Sequence, residues 1–293
     1  MTATVLVLVE TVNEYLPILE RQGYHLELAP TPAERKAAIF EHGERFSAVL
    51  TRGPLGLTAE EMTALPNLKI ICVIGAGYEQ VDLQAATDEA LVRDVPRSDA
   101  ALRRGEWPRS TRPSLAGKHL GVLGLGAVGM AIAKRAALGF DMSVSYHNRR
   151  VRTDVPYTFC ATPTELARVS DFLIVATPGG LDTRQLINKQ ALDALGPNGF
   201  LVNIARGSVV ATADLISALE HRRIAGAALD VFDHEPEVPD ALKHLPNVVL
   251  TPHVAGLSPE ATRAMVELVG DNLNAFFSGK PVLTPVERPD AQH

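Results

Sequence analysis

The sequence predicts an α/β protein of two domains, each built on a parallel sheet with crossover helices. Short apolar runs alternate with helical stretches for most of the length, and many of those runs are almost continuously apolar. At 293 residues the chain is long for one core, and an apolar content of 46% is enough to fill two.

In the first unit, residues 4–9 (TVLVLV), 47–52 (SAVLTR) and 68–75 (LKIICVIG) read as strands. Between them a helix opens with Thr31 as N-cap, Pro32 at the first helical position and Glu34 closing a capping box. A second series of strands follows at 119–125, 142–147, 171–176, 199–205, 224–232 and 247–253, with helices at 127–140 and 212–223 among those between them. The capping device recurs at Thr162–Glu165 (TPTE), before a helix ending near Ser170. A last helix has Ser258 as N-cap, Pro259 at its first position and Gly279 as its stop, with apolar residues at helical spacing. It is expected to pack back on the first unit, which gives a discontinuous domain of residues 1–90 plus 259–293 and a continuous one of 91–258. The Pro-rich tail from Pro281 reads as a loose strap or frayed end.

A net charge of −6 leaves no basic excess, so neither nucleic acid nor an anionic membrane is expected as a main partner. Cys72 and Cys160 are isolated, which points to a reducing compartment without a structural disulfide. The N-terminus lacks the basic start of a signal peptide, and no apolar run approaches the roughly 20 residues that span a bilayer. A soluble, cytoplasmic protein is therefore expected. His221, His234 and His244 lack metal-ligand spacing, so no metal is expected, and His234 reads as a solvated loop residue.

GLGAVG, at Gly124, Leu125, Gly126, Ala127, Val128 and Gly129, directly follows one strand and opens a helix, the context in which GxGxxG binds a dinucleotide. Gly124 allows the tight turn, Gly126 lets backbone approach a pyrophosphate, and Gly129 lets helix and strand pack closely. The helix N-terminus offers N–H groups and a partial positive charge to the phosphates. The next strand ends in His147, Asn148, Arg149 and Arg150. A carboxylate there would bind the ribose hydroxyls of NAD and repel a 2′-phosphate. This chain supplies two guanidiniums instead, which suits NADP(H), with NAD(H) still possible. Arg149, nearer the strand, is the better candidate; the alternative is that the arginines only solvate a strand end.

Three further stretches, NIARGSVV (203–210), LDVFDHEP (229–236) and TPHVAG (251–256), each fall at a strand end. With GAGYEQVDL in the first unit and the glycine loop, the chain resembles the D-isomer-specific 2-hydroxyacid dehydrogenases over nearly its whole length. Its flavour is that of the glyoxylate/hydroxypyruvate reductase group, whose members often carry NR after the second strand. The resemblance implies two Rossmann-like domains, a flavodoxin-like substrate domain and a doubly wound NAD(P)-binding domain, with a cleft between them, and a homodimer. It implies reduction of a small 2-oxo acid to the D-2-hydroxy acid.

The chemistry of the residues agrees. Reduction needs a cation for carboxylate and carbonyl, an acid for the new alkoxide, and exclusion of water. Arg206 can supply the first with its planar fork, and His253 the proton. Glu235 would hold His253 and favour its protonated form. The resemblance also gives backbone N–H groups at Ala76 and Gly77 to the substrate carboxylate, and Thr177, Pro178 and Asp230 to the cofactor, Asp230 near the nicotinamide amide. Asp230 could instead be a turn residue. Arg52 either adds charge to the substrate or is a solvated strand end.

One segment departs from the family. After GAGYEQVDLQAAT the chain lacks a short strand, a loop at the nicotinamide end and the start of a long interface helix. Only the tail of that helix is expected, from about Leu91, with Pro96 bending or ending it. A real deletion, a shortened record of the loop and a simpler replacement all fit. Two rival functions remain: a nucleotide-sensing binding protein of the same fold, and an NAD-dependent dehydrogenase for another 2-hydroxy acid.

Overall fold

The computed structural model describes residues 3–52, 55–74, 91, 93–109 and 111–285. It divides into two compact units, Met1–Gln80 with Leu257–His293, and Val81–Gly256.

The first unit carries a parallel sheet of β1 (Thr4–Val7), β2 (His25–Leu28), β3 (Ala48–Arg52) and β4 (Ile70–Ile74), in the order β2-β1-β3-β4. Helices α1 (Pro17–Arg21), α2 (Pro32–His42) and α3 (Ala59–Thr63) connect them. The Thr31–Glu34 capping box forms, so the start of α2 lies where the sequence puts it. Strand β2 was not expected: HLEL is four residues long, half-exposed, and has no apolar run to announce it.

The second unit carries seven parallel strands: β5 (His119–Leu123), β6 (Ser143–His147), β7 (Thr158–Phe159), β8 (Phe172–Val175), β9 (Phe200–Asn203), β10 (Gly226–Leu229) and β11 (Val248–Leu250). Their order is β11-β10-β9-β8-β5-β6-β7, so the chain reverses direction across the sheet between β5 and β8. Open α/β sheets bind ligands at that switch point, beyond the carboxyl ends of the strands. The helices are α4 (Val95–Arg103), α5 (Ala127–Phe140), α6 (Pro163–Val169), α7 (Lys189–Leu195), α8 (Thr212–Glu220) and α9 (Asp240–His244).

Each face of this sheet has its own core. Ile132, Ala133 and Ala136 of α5 pack with Leu120, Val122 and Val144 on one side. Leu166, Leu192 and Leu215, from α6, α7 and α8, pack with Leu173, Leu201 and Ala227 on the other. Coverage of both faces explains why β8 and β10 are buried at every position.

Two local expectations need refining. Helical backbone at Leu91 gives way to a turn at Arg93 and Asp94, where Asp94 has φ 55°, so the break falls just ahead of Pro96; the proline itself lies in the first turn of α4, where its missing N–H has no intrahelical partner to lose. At α6 the Thr162 hydroxyl accepts from Glu165 N, but the Glu165 carboxylate returns to Ala161 N at 2.9 Å, one residue before the position a capping box requires.

The chain ends in the first unit with α10 (Pro259–Phe277), whose N-cap Ser258 accepts from Ala261 N at 3.1 Å. Its Val266, Val269 and Leu273 join Val5, Val7, Leu19 and Leu50 in one core. The strap that follows is pinned by Asn272, which accepts from Leu283 N at 2.8 Å and Thr284 N at 3.1 Å.

Candidate active site

All three glycines of the loop are held by packing or by space. Gly124 has φ +98°, and a Cβ there would lie 2.6 Å from Thr177 N, so the turn runs against the backbone that follows β8. A Cβ on Gly129 would lie 2.2 Å from Gly124 O, which fixes the approach of α5 to β5. A Cβ on Gly126 would meet nothing within 4 Å. Among the described residues the first turn of α5 has neither a side-chain cap nor an acidic residue. The arrangement suits an anion at the helix N-terminus, and a dinucleotide pyrophosphate fits it.

Asn148, expected to touch the cofactor, first builds the loop: its Oδ1 accepts from Leu125 N at 2.7 Å. Arg149 and Arg150 are exposed and make no ion pair or hydrogen bond among the described residues. Arg152, which sequence reasoning missed, donates from Nη1 to Leu125 O at 2.9 Å. Thr177 and Pro178 follow β8 beside this loop, half-buried and exposed respectively.

The loops after β9, β10 and β11 bring Arg206, Glu235 and His253 together. His253 Nδ1 lies 2.8 Å from Glu235 Oε2, and Phe232 N donates to Glu235 Oε1 at 3.0 Å. Burial pushes the Glu235 carboxyl up. The His253 hydrogen bond, the Phe232 N–H and the charges of His253 and Arg206 outweigh it and hold the group below its usual range. The pair's contribution to stability is therefore present above the ordinary carboxylate range and lost as pH falls through the lowered value. It is small, because both side chains are about one-third exposed.

Backbone contacts set these positions. A Cβ on Gly207 would lie 2.0 Å from Phe232 C, so the Arg206 loop runs directly against the loop bearing Glu235. Buried Asn203 shapes the turn before it, accepting from Ala205 N at 3.1 Å and donating to Arg206 O at 3.1 Å. The Arg206 side chain crosses Gly179, whose Cβ would lie 2.7 Å from Arg206 Cγ. Asp230 is 5% exposed and accepts from Thr251 Oγ1 at 2.6 Å, Val254 N at 2.9 Å and Ala255 N at 3.0 Å. It thereby fastens the loop in which His253 takes a left-handed φ of 54°. Asn203, Gly179 and Gly207 carried no role in the sequence reading; a glycine directly after Arg206 was the one available hint.

Arg52 ends β3 in the first unit and is exposed. Ala76 and Gly77 lie outside the described residues, as do Asp88, Glu89 and Ala90 at the start of the segment that departs from the family pattern. Among the described residues no three His, Cys, Asp or Glu side chains group as metal ligands, and no helix is long and apolar enough to cross a membrane.

Residues 89–255 match the NAD binding domain of the D-isomer specific 2-hydroxyacid dehydrogenases, and residues 5–98 match their catalytic domain. The chain belongs to this family. The 2-ketogluconate reductase of Gluconobacter oxydans is 42% identical over 265 residues, covering 81% of this chain and 85% of the relative. Glyoxylate/hydroxypyruvate reductase A of Arabidopsis thaliana is 37% identical over 283 residues, covering 87% and 90%. The NADPH-dependent glyoxylate/hydroxypyruvate reductase of Sinorhizobium meliloti, solved with NADP and malonate, superposes with a TM-score of 0.83 at 35% identity, covering 98% of this chain and 97% of that one. Both sequence alignments run over more positions than this chain contributes to them, so these relatives carry residues, within the matched region, that have no counterpart in this sequence.

The glycine contacts separate folding from binding in this dehydrogenase. Gly129→Ala, which must displace a backbone carbonyl, is expected to lower stability in urea unfolding by about 1–3 kcal/mol. Gly126→Ala should stay within about 0.5 kcal/mol of wild type, yet weaken NADPH binding measured by fluorescence titration. A Gly126→Ala protein that binds NADPH as wild type does would remove the pyrophosphate from this loop.

Proposed function

We propose that the protein reduces a small 2-oxo acid of the glyoxylate or hydroxypyruvate type to its D-2-hydroxy acid, using NADPH. The observation that carries this reading is the Glu235–His253 pair with the charge of Arg206 beside it. With Nδ1–H directed to Glu235, a protonated His253 has an Nε2–H that makes no hydrogen bond among the described residues and is available to donate. Bound NADPH would supply a hydride to the carbonyl carbon of the substrate. Arg206 would hold the carboxylate and carbonyl oxygens and stabilise the charge that develops on the latter. His253 would protonate that oxygen from Nε2 and keep its Nδ1–H on Glu235. Glu235 would act through His253, holding the ring and balancing its charge.

NADPH is favoured over NADH by the end of β6. His147, Asn148, Arg149 and Arg150 place no carboxylate there, and the two arginines are exposed without a protein partner among the described residues. The Sinorhizobium meliloti reductase, named as NADPH-dependent, lends the choice support.

Initial rates with glyoxylate and hydroxypyruvate, each with NADPH and with NADH, test the function. Turnover of at least one acid with a preference for NADPH is expected. A folded protein that binds NADPH but turns over neither acid would overturn the proposal in favour of a nucleotide-binding protein. Arg149→Ala should raise the KM for NADPH about tenfold and that for NADH far less. Equal changes would remove Arg149 from the 2′-phosphate site.

A further inference from the structure

The end of β6 holds a third arginine. Tyr146, buried in the core beneath α5, donates from its hydroxyl to Arg152 O at 3.0 Å and accepts from Arg152 N at 2.8 Å. These two bonds close the loop 147–151 and bring Arg152 back to the strand end. From there its Nη1 reaches Leu125 O at 2.9 Å, while Asn148 holds Leu125 N at 2.7 Å. The guanidinium is therefore fixed where the turn after β5 meets the end of β6, the corner at which this fold receives the adenosine ribose. On its other side Arg152 makes a two-point pair with Asp154, with Nε 3.0 Å from Oδ1 and Nη2 on Oδ2.

We propose that Arg152 is the preorganised phosphate-reading residue of the cofactor site, and that Asp154 is a counter-charge which moderates its grip. The proposal rests on the NADPH reading above. Arg149 and Arg150 must be ordered before they can hold an anion, whereas Arg152 is already held by Tyr146, Leu125 and Asp154. Its remaining N–H groups are uncommitted among the described residues. A 2′-phosphate, with a charge near −1.5 to −2 at neutral pH, outcompetes a carboxylate for a guanidinium fork. The Asp154 carboxylate is 64% exposed, so it can turn to water when the phosphate arrives, but its charge still opposes the phosphate.

Calorimetric titration with adenosine 2′,5′-bisphosphate and with 5′-AMP isolates the 2′-phosphate without turnover. Wild type is expected to favour the bisphosphate; equal affinity would overturn the NADPH reading and this proposal with it. If wild type does favour it, Arg152→Gln should lose about tenfold more affinity for the bisphosphate than for 5′-AMP. Equal losses would reduce Arg152 to a brace of the glycine loop and overturn its assignment alone. Arg152→Lys, which keeps the charge but not the fork, should fall between wild type and Arg152→Gln. Asp154→Asn should raise bisphosphate affinity about threefold relative to 5′-AMP. An unchanged or lower ratio in that variant would overturn the counter-charge.

Discussion

The candidate catalytic groups depend on one buried carboxylate. Asp230 stands at the end of β10, almost wholly enclosed, and accepts from Thr251 Oγ1, Val254 N and Ala255 N. An ionised carboxylate out of water is costly unless donors surround it, and here the loop after β11 supplies three. The loop cannot move without stranding that charge, so His253 is held at a backbone angle it would not otherwise favour. From the opposite side, Gly207 allows the loop after β9 to touch the backbone of Phe232 and Asp233. The end of β10 is thus a hub against which the Arg206 loop and the His253 loop are both set, with Glu235 on the chain that leaves it.

The glycine loop solves a different problem with similar means. It needs a tight turn, a close helix and an open face, and glycine supplies each for a separate reason: positive φ at Gly124, lack of a Cβ against Gly124 O at Gly129, and lack of a Cβ toward open space at Gly126. Asn148 and Arg152 then hold the two backbone groups of Leu125 from the end of β6. Adjacent strand ends brace each other at both places, so the chemistry rests on strand order rather than on any single loop. The switch of order between β5 and β8 leaves room there for a ligand.

Much of this was legible in the sequence. Strands buried on both faces leave apolar runs, and the caps at Thr31 and Ser258 mark helices to the residue. GLGAVG could be read position by position because each glycine answers a steric demand. Strands β2 and β7 could not, being short and partly exposed, so burial did not write a pattern into them. Pro96 marked an interruption but not which side of it, because one proline both starts and stops helices and only its position in the turn decides. Asn203, Gly179, Gly207 and Arg152 act through contacts with residues distant in the chain or across a loop, which no local pattern announces. Asp230 was read either for the cofactor or as a turn residue, and three of the chain's own donors, all from the loop after β11, sit on its carboxylate.

If Glu235 and His253 act as one unit in proton transfer, removing both costs little more than removing His253 alone, and a double-mutant cycle in turnover measures this. His253→Ala, Glu235→Ala and the double variant would be compared with wild type in kcat for the better of glyoxylate and hydroxypyruvate, with NADPH binding followed by fluorescence. A loss of at least about a hundredfold is expected for His253→Ala, with NADPH binding retained, and little further loss when Glu235→Ala is added. Losses that multiply in the double variant, or a His253→Ala protein with wild-type turnover, would contradict their acting as one unit.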